Sequence, residues 1–93
     1  MDQNLEIAIK NAAAVLKAAG ATEVFIFGSA ARGTMRDGSD VDFAISGLPP
    51  EAFYRAMSDA TRALGRVLDL IDLDEITPFT RYLKEADELR RVA

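Results

Sequence analysis

The chain has 93 residues, 49% hydrophobic and 28% charged, which is ordinary globular content and leads us to expect a single domain over residues 1–93. A net charge of −4 argues against a broad basic face for nucleic acid and makes a nucleic-acid partner unexpected, while one bound nucleotide stays open. With no cysteine and no histidine, thiolate nucleophiles, disulfides, Cys/His zinc sites and imidazole acid–base chemistry are all excluded, so a metal would have to sit on carboxylates.

The N-terminal stretch Met-Asp-Gln-Asn-Leu-Glu lacks the basic start and apolar run of a signal peptide, and no apolar stretch approaches the ~18 residues of a membrane span. A cytoplasmic location without membrane attachment is expected. A domain this small buries only roughly 60–70% of its unfolded surface, so a partner surface that completes it is a natural expectation.

From Leu5 the apolar positions Leu5, Ala8, Ile9, Ala12, Leu16 and Ala19 recur at helical spacing, with Asn4 as the expected N-cap and Gly20 as the stop. Glu23 to Phe27 is short, β-branched and aromatic and reads as a buried strand that ends on Gly28-Ser29. A short helix from Ser29 to Arg32 and a polar loop from Gly33 to Gly38, carrying Arg36 and Asp37, follow. Asp40 to Ile45 alternates strictly, which predicts a second strand with Asp40 and Asp42 on one face and Val41, Phe43 and Ile45 on the other.

Pro49-Pro50 opens the next helix, whose expected buried stripe is Phe53, Met57, Ala60 and Leu64, ending at Gly65. Val67 to Leu73 is the third expected strand, and Thr77-Pro78 caps a last helix with Phe79, Tyr82, Leu83 and Ala86 inward. Tyr54 and Tyr82 fall on helix stripes and read as packing residues. The expected fold class is α/β (α+β), in the order αβαβαβα, with a small mixed three-stranded sheet flanked by helices.

The chemistry concentrates in Gly28 to Phe43, GSAARGTMRDGSDVDF. A glycine lets backbone approach phosphate, and the N–H groups that follow, with the Ser29 hydroxyl, offer an anion site. Asp40 and Asp42 lie about 6.6 Å apart along one strand face, so their carboxylates can converge on a shared magnesium ion. Each feature alone is weak, since Gly-Ser after a strand is usually a turn and Asp-x-Asp at a strand start is often a solvated edge. In combination they fit the handling of a nucleoside triphosphate with a divalent metal. Arg32 and Arg36 are candidates for the triphosphate tail through bidentate guanidinium contacts, against the plain alternative of solvated loop charges. Ser39 belongs to the same nucleotide-side set, although serine before aspartate commonly caps or orients a turn.

Gly-Ser, ten residues, then Asp-x-Asp resembles the motif of the polymerase β-type nucleotidyltransferase superfamily. The form GSxARG…SDxDF, carried by Gly28, Ser29, Ala31, Arg32, Gly33, Ser39, Asp40, Asp42 and Phe43, resembles the minimal nucleotidyltransferases of prokaryotes. The resemblance implies the polymerase β-like fold, a magnesium or manganese ion, ATP as donor, and a third metal-binding carboxylate on the next strand that also serves as base for the acceptor hydroxyl. Asp69 is the residue selected for it, with Asp72 as the alternative and Asp74 nearby; alternation puts the latter two on the opposite face. Asp40, Asp42 and Asp69 are thus the expected catalytic and metal-binding set.

Minimal members of that family pair with a HEPN-domain toxin and act as its antitoxin by adding AMP to a tyrosine, and this chain leaves little room for an acceptor domain of its own. A HEPN-domain partner, in a homo- or hetero-oligomer, is the implied acceptor. Transfer to a small molecule or an RNA end, and a non-catalytic antitoxin acting by contact alone, are the alternatives.

Overall fold

The computed structural model describes residues 3–35 and 38–93. Its helices and strands run α1 (Gln3–Ala19), β1 (Glu23–Phe27), α2 (Gly28–Arg32), β2 (Val41–Ser46), α3 (Phe53–Leu64), β3 (Leu68–Asp72), α4 (Pro78–Glu85) and β4 (Arg90–Arg91), with a 3-10 turn at Pro50–Ala52 leading into α3. The sheet order is β3-β2-β1-β4. β2 lies antiparallel to β1 and parallel to β3, so the sheet is mixed as expected.

Period-two alternation divides the sheet into two unlike faces. Val24 and Ile26 of β1, Val41, Phe43 and Ile45 of β2, and Leu68 and Leu70 of β3 turn to one side, where Ile9 and Leu16 of α1 and Ala60 and Leu64 of α3 complete the main core. The opposite side carries a smaller cluster, Phe27, Ala44, Leu73 and Leu83 of α4, with Phe25, Ile71 and Leu89 around it. α4 therefore covers only part of this second face.

Several expectations need correction. A fourth strand, Arg90–Arg91, pairs antiparallel with β1, where three strands were expected. Backbone bonds between Val24 and both Val92 and Ala93, and an ion pair of Arg91 with Glu23 at 3.3 Å, hold this end against β1. α1 begins at Gln3, so Asn4 lies within its first turn rather than before it. β3 is a residue shorter at each end than expected, and Val67 is exposed.

α4 is turned differently from the reading of its apolar stripe: Thr80 and Leu83 are buried, while Phe79 and Tyr82 are 47% and 53% exposed. Its start is fixed by Thr77, whose hydroxyl accepts from the Thr80 N–H at 3.1 Å while the Thr80 hydroxyl accepts from the Thr77 N–H at 3.0 Å. That reciprocal cap faces Thr80 inward, and Leu83 follows one turn later on the same side. Tyr54, 76% exposed, is not a packing residue either; its ring stands edge-on to that of its neighbour Phe53. Among the described residues, no helix is long and apolar enough to cross a membrane.

Candidate active site

β1 is apolar because both sheet faces bury it, and the chain leaves it through Gly28 at φ +67°, a conformation that favours glycine. A Cβ at this position would stand 2.6 Å from Oδ2 of Asp42, so the missing side chain is what lets the turn lie against the acid. α2 follows at once, closed at Gly33 by the Thr34 N–H donating to the Ser29 carbonyl at 3.0 Å. Among the described residues the Ser29 hydroxyl makes no hydrogen bond, which leaves it available to a ligand.

Strand register brings the acids together. Phe27 is the cross-strand partner of Asp42, and Asp42 is the parallel partner of Asp69, so Phe27, Asp42 and Asp69 form a row across three adjacent strands on the face that α4 half covers. Asp72 falls beside Ile45 instead. Its Oδ1 accepts from the Asp74 N–H at 2.9 Å, and Asp74 Oδ2 accepts from the Gly47 N–H at 2.7 Å, so both carboxylates close turns at the far end of the sheet.

Burial holds the Asp42 carboxyl above its ordinary value of 3.8, and the charges of Asp69 and then Asp40, with a hydrogen bond to Asp69, push it the same way. Asp40 itself is exposed, immediately ahead of β2. Among the described residues no three acidic groups are gathered closely enough to form a finished ion cage; the acids meet as the pair Asp42 and Asp69, with Asp40 near enough to add to its field. An all-carboxylate set of this kind suits a hard divalent cation such as magnesium or manganese, and a cation would relieve the repulsion that raises Asp42.

The Arg32 guanidinium lies 4.0 Å from Glu88, which also accepts from the Tyr82 hydroxyl at 3.4 Å. Arg36 lies outside the described residues. Ser39 presents its carbonyl to Arg66, whose Nη1 donates at 3.4 Å. Arg66 was not foreseen: it sits just after the Gly65 stop of α3, and only the parallel pairing of β2 with β3 brings it to the acidic turn. Phe79 was foreseen only as a core residue, yet its ring stands 5.9 Å from that of Phe27 in an edge-on contact beside the row.

A glycine turn at the start of a helix, beside paired carboxylates on neighbouring strands, is the kind of arrangement that can handle phosphoryl groups with the help of a cation. The sequence model of the family described as Polymerase beta, Nucleotidyltransferase matches residues 10–88, and the chain belongs to that family. Among solved structures it is similar to a candidate minimal nucleotidyltransferase, at 28% identity and a TM-score of 0.73, covering 97% of this chain and 95% of that one. A toxin–antitoxin structure with AMP-PNP gives the same TM-score at 21% identity, over 90% of this chain and 72% of that one. A tri-AMPylated Shewanella oneidensis HEPN toxin in complex with its MNT antitoxin is similar at 16% identity and a TM-score of 0.68, covering 96% of this chain and 71% of that one. Among curated proteins, none matches the sequence. At these identities the antitoxin structures establish the likeness of fold.

Proposed function

We propose that the protein transfers AMP from ATP to a hydroxyl group of a partner protein. The observation that carries this reading is the row in which the Gly28 turn, Asp42 and Asp69 stand side by side on adjacent strands, with the Asp42 carboxyl raised by burial and then by the charges of Asp69 and Asp40. In this reading Gly28 and Ser29 receive the phosphates, with Arg32 and Ser39 flanking them, and Asp40, Asp42 and Asp69 hold a magnesium or manganese ion. Such an ion, when bound, neutralises charge on the phosphate and on the entering oxygen.

Asp69 then accepts the proton of the acceptor hydroxyl as its oxygen bonds to the α-phosphorus. The bond from that phosphorus to the bridging oxygen breaks, and pyrophosphate leaves with the electron pair. The residues of the chain contribute position and charge.

For the acceptor we propose a HEPN-domain toxin, with this chain as its antitoxin and a tyrosine as the modified residue. The support is that the similar structures include a toxin–antitoxin complex with AMP-PNP and an AMPylated HEPN toxin. The test is mass spectrometry of a HEPN-domain protein encoded beside this chain, after incubation with the chain, ATP and magnesium. An adduct of one or more AMP groups is expected. Suppression of the toxin without an adduct would replace the reading with a contact-only antitoxin.

A further inference from the structure

We propose that Phe79 is the stacking surface for the base of the nucleotide donor. The inference rests on the reading of Gly28 and the acid row as a nucleotide site, and adds the part that reading leaves unassigned. The phosphate turn and the acids account for the triphosphate end of a donor and provide nothing for its base.

Phe79 is placed for that task. It is 47% exposed, although helix docking is already secured by Leu83 and Thr80, which are buried one turn apart and in the same helix. Its ring meets that of Phe27 at 5.9 Å with the planes 65° apart, an edge-on contact that fixes the ring while leaving much of its surface to solvent. Phe27 is in turn the residue immediately before Gly28 and the cross-strand partner of Asp42, one strand spacing, ~4.8 Å, from it.

Position also decides between donor and acceptor. The row has the phosphate turn at the Phe27 end and Asp69, the acid assigned to the acceptor, at the other, with Asp42 between them. Phe79 stands over the Phe27 end. A nucleotide whose phosphates lie on Gly28 and Ser29 carries its base one ribose away on this side, whereas an acceptor hydroxyl must approach from the side of Asp69. An aromatic face recognises any base by its π surface and reads no hydrogen-bonding edge, so the predicted ligand class is a nucleoside triphosphate with weak base preference.

Calorimetry on the full chain with magnesium tests this, using ATP, GTP, CTP and inorganic tripolyphosphate as probes against wild type, Phe79→Ala, Phe79→Leu and Phe79→Trp. Removing a stacking ring costs about 5- to 150-fold in affinity, so Phe79→Ala weakens ATP by a factor in that range and leaves tripolyphosphate within twofold of wild type. Phe79→Trp retains ATP affinity, and the three nucleotides bind wild type within several-fold of one another. Phe79→Leu keeps an apolar contact to Phe27 and preserves the measurement if Phe79→Ala unfolds; it is weakened for ATP in the same selective way. Unchanged ATP affinity in the Ala and Leu variants overturns the inference, as does an equal loss for tripolyphosphate, which would mean that Phe79 acts through the Gly28 turn. Unchanged ATP affinity with impaired transfer to a partner assigns Phe79 to the acceptor and also overturns it. Wild type that binds tripolyphosphate but shows no gain for ATP overturns this inference alone; wild type that binds neither removes the nucleotide-site reading together with it.

Discussion

Gly28 and Asp42 occupy each other's space: a single added carbon at Gly28 would come within 2.6 Å of Oδ2 of Asp42. The obstacle is the end of a side chain rather than backbone, so an alanine here would turn Asp42 aside more than it would break the fold. Gly33 offers the matching control, with a similar φ of +72° and nothing within 4 Å of an added Cβ. Gly28→Ala and Gly33→Ala should therefore lose similar stability, roughly 1–2 kcal/mol for a non-glycine residue in a left-handed conformation. Only Gly28→Ala should lose magnesium-dependent ATP binding, measured by calorimetry. Equal ATP affinity in the two variants would remove Gly28 from the site.

Asp42 makes a prediction about stability and pH. Its carboxyl is raised in the fold, chiefly by burial and then by Asp69 and Asp40, so the folded state holds a proton more tightly than the unfolded chain does. With the folded value above the unfolded one, stability falls as pH rises through the interval above 3.8, and the penalty is complete once the carboxyl is ionised in both states. Asp42→Asn removes the penalty. In metal-free buffer at pH 7 the variant should melt a few degrees above wild type, and the gap should close as the pH drops to the ordinary carboxylate range. Magnesium should raise the melting temperature of wild type, by ~2.7 kcal/mol of stability at about 100 times its Kd, and leave Asp42→Asn nearly unmoved. A variant that melts below wild type without metal would mean that the acid is a structural partner.

Asp69 and Asp72 lie on one short strand and separate cleanly by register. Asp69 sits opposite Asp42, whereas Asp72 sits opposite Ile45 and accepts from the Asp74 N–H. Asp69→Asn should keep most ATP binding and reduce transfer by about 10²- to 10⁴-fold, as for the loss of a general base. Asp72→Asn should cost ~1 kcal/mol of stability for the weakened turn and leave single-turnover transfer unchanged. The reverse pattern would move the third acid to Asp72.

The legible parts of the sequence are those in which one local signal had one structural meaning. Strict alternation, expected from Asp40 to Ile45 and realised from Val41, sorts Asp42 away from the main core that Val41, Phe43 and Ile45 enter, because a strand allows no other sorting of its side chains, while Asp40 lies just ahead of the strand. Gly65 stopped α3 with φ +78°, as a glycine after an apolar helical stripe does. The stripe of α4 was ambiguous: in an eight-residue helix Phe79, Tyr82 and Leu83 can all be drawn inward, and the cap at Thr77 and Thr80 chose a rotation that keeps only Leu83 inside. Arg90 and Arg91 carry no β signal, and their strand exists because β1 offers an edge and Glu23 a counter-charge. The pairings of Arg32 with Glu88 and of Arg66 with Ser39 span long stretches of chain, so only the assembled sheet could bring them together.

The pairing of Arg32 with Glu88 supplies the last prediction. Arg32 was expected on the triphosphate tail, but its guanidinium rests 4.0 Å from Glu88 with its side chain 60% exposed. An exposed pair at this distance is worth about 0–1 kcal/mol, so a phosphate can outcompete the carboxylate at little cost. Glu88 nevertheless competes for the same cation, and the Tyr82 hydroxyl helps to hold it in place. Two substitutions separate these roles. Arg32→Ala should leave the melting temperature nearly unchanged and weaken ATP by about tenfold, as for one charge-assisted contact of ~1.4 kcal/mol. Glu88→Gln removes the competing charge and keeps the side chain's shape, so it should tighten ATP by a few-fold, with AMP affected much less because it lacks the tail that Arg32 would reach. The gain should also vanish in the Arg32→Ala background, because Glu88 acts only through that guanidinium. If Glu88→Gln tightens ATP equally with and without Arg32, the effect is a general field of one negative charge, and Arg32 has no part in binding the triphosphate.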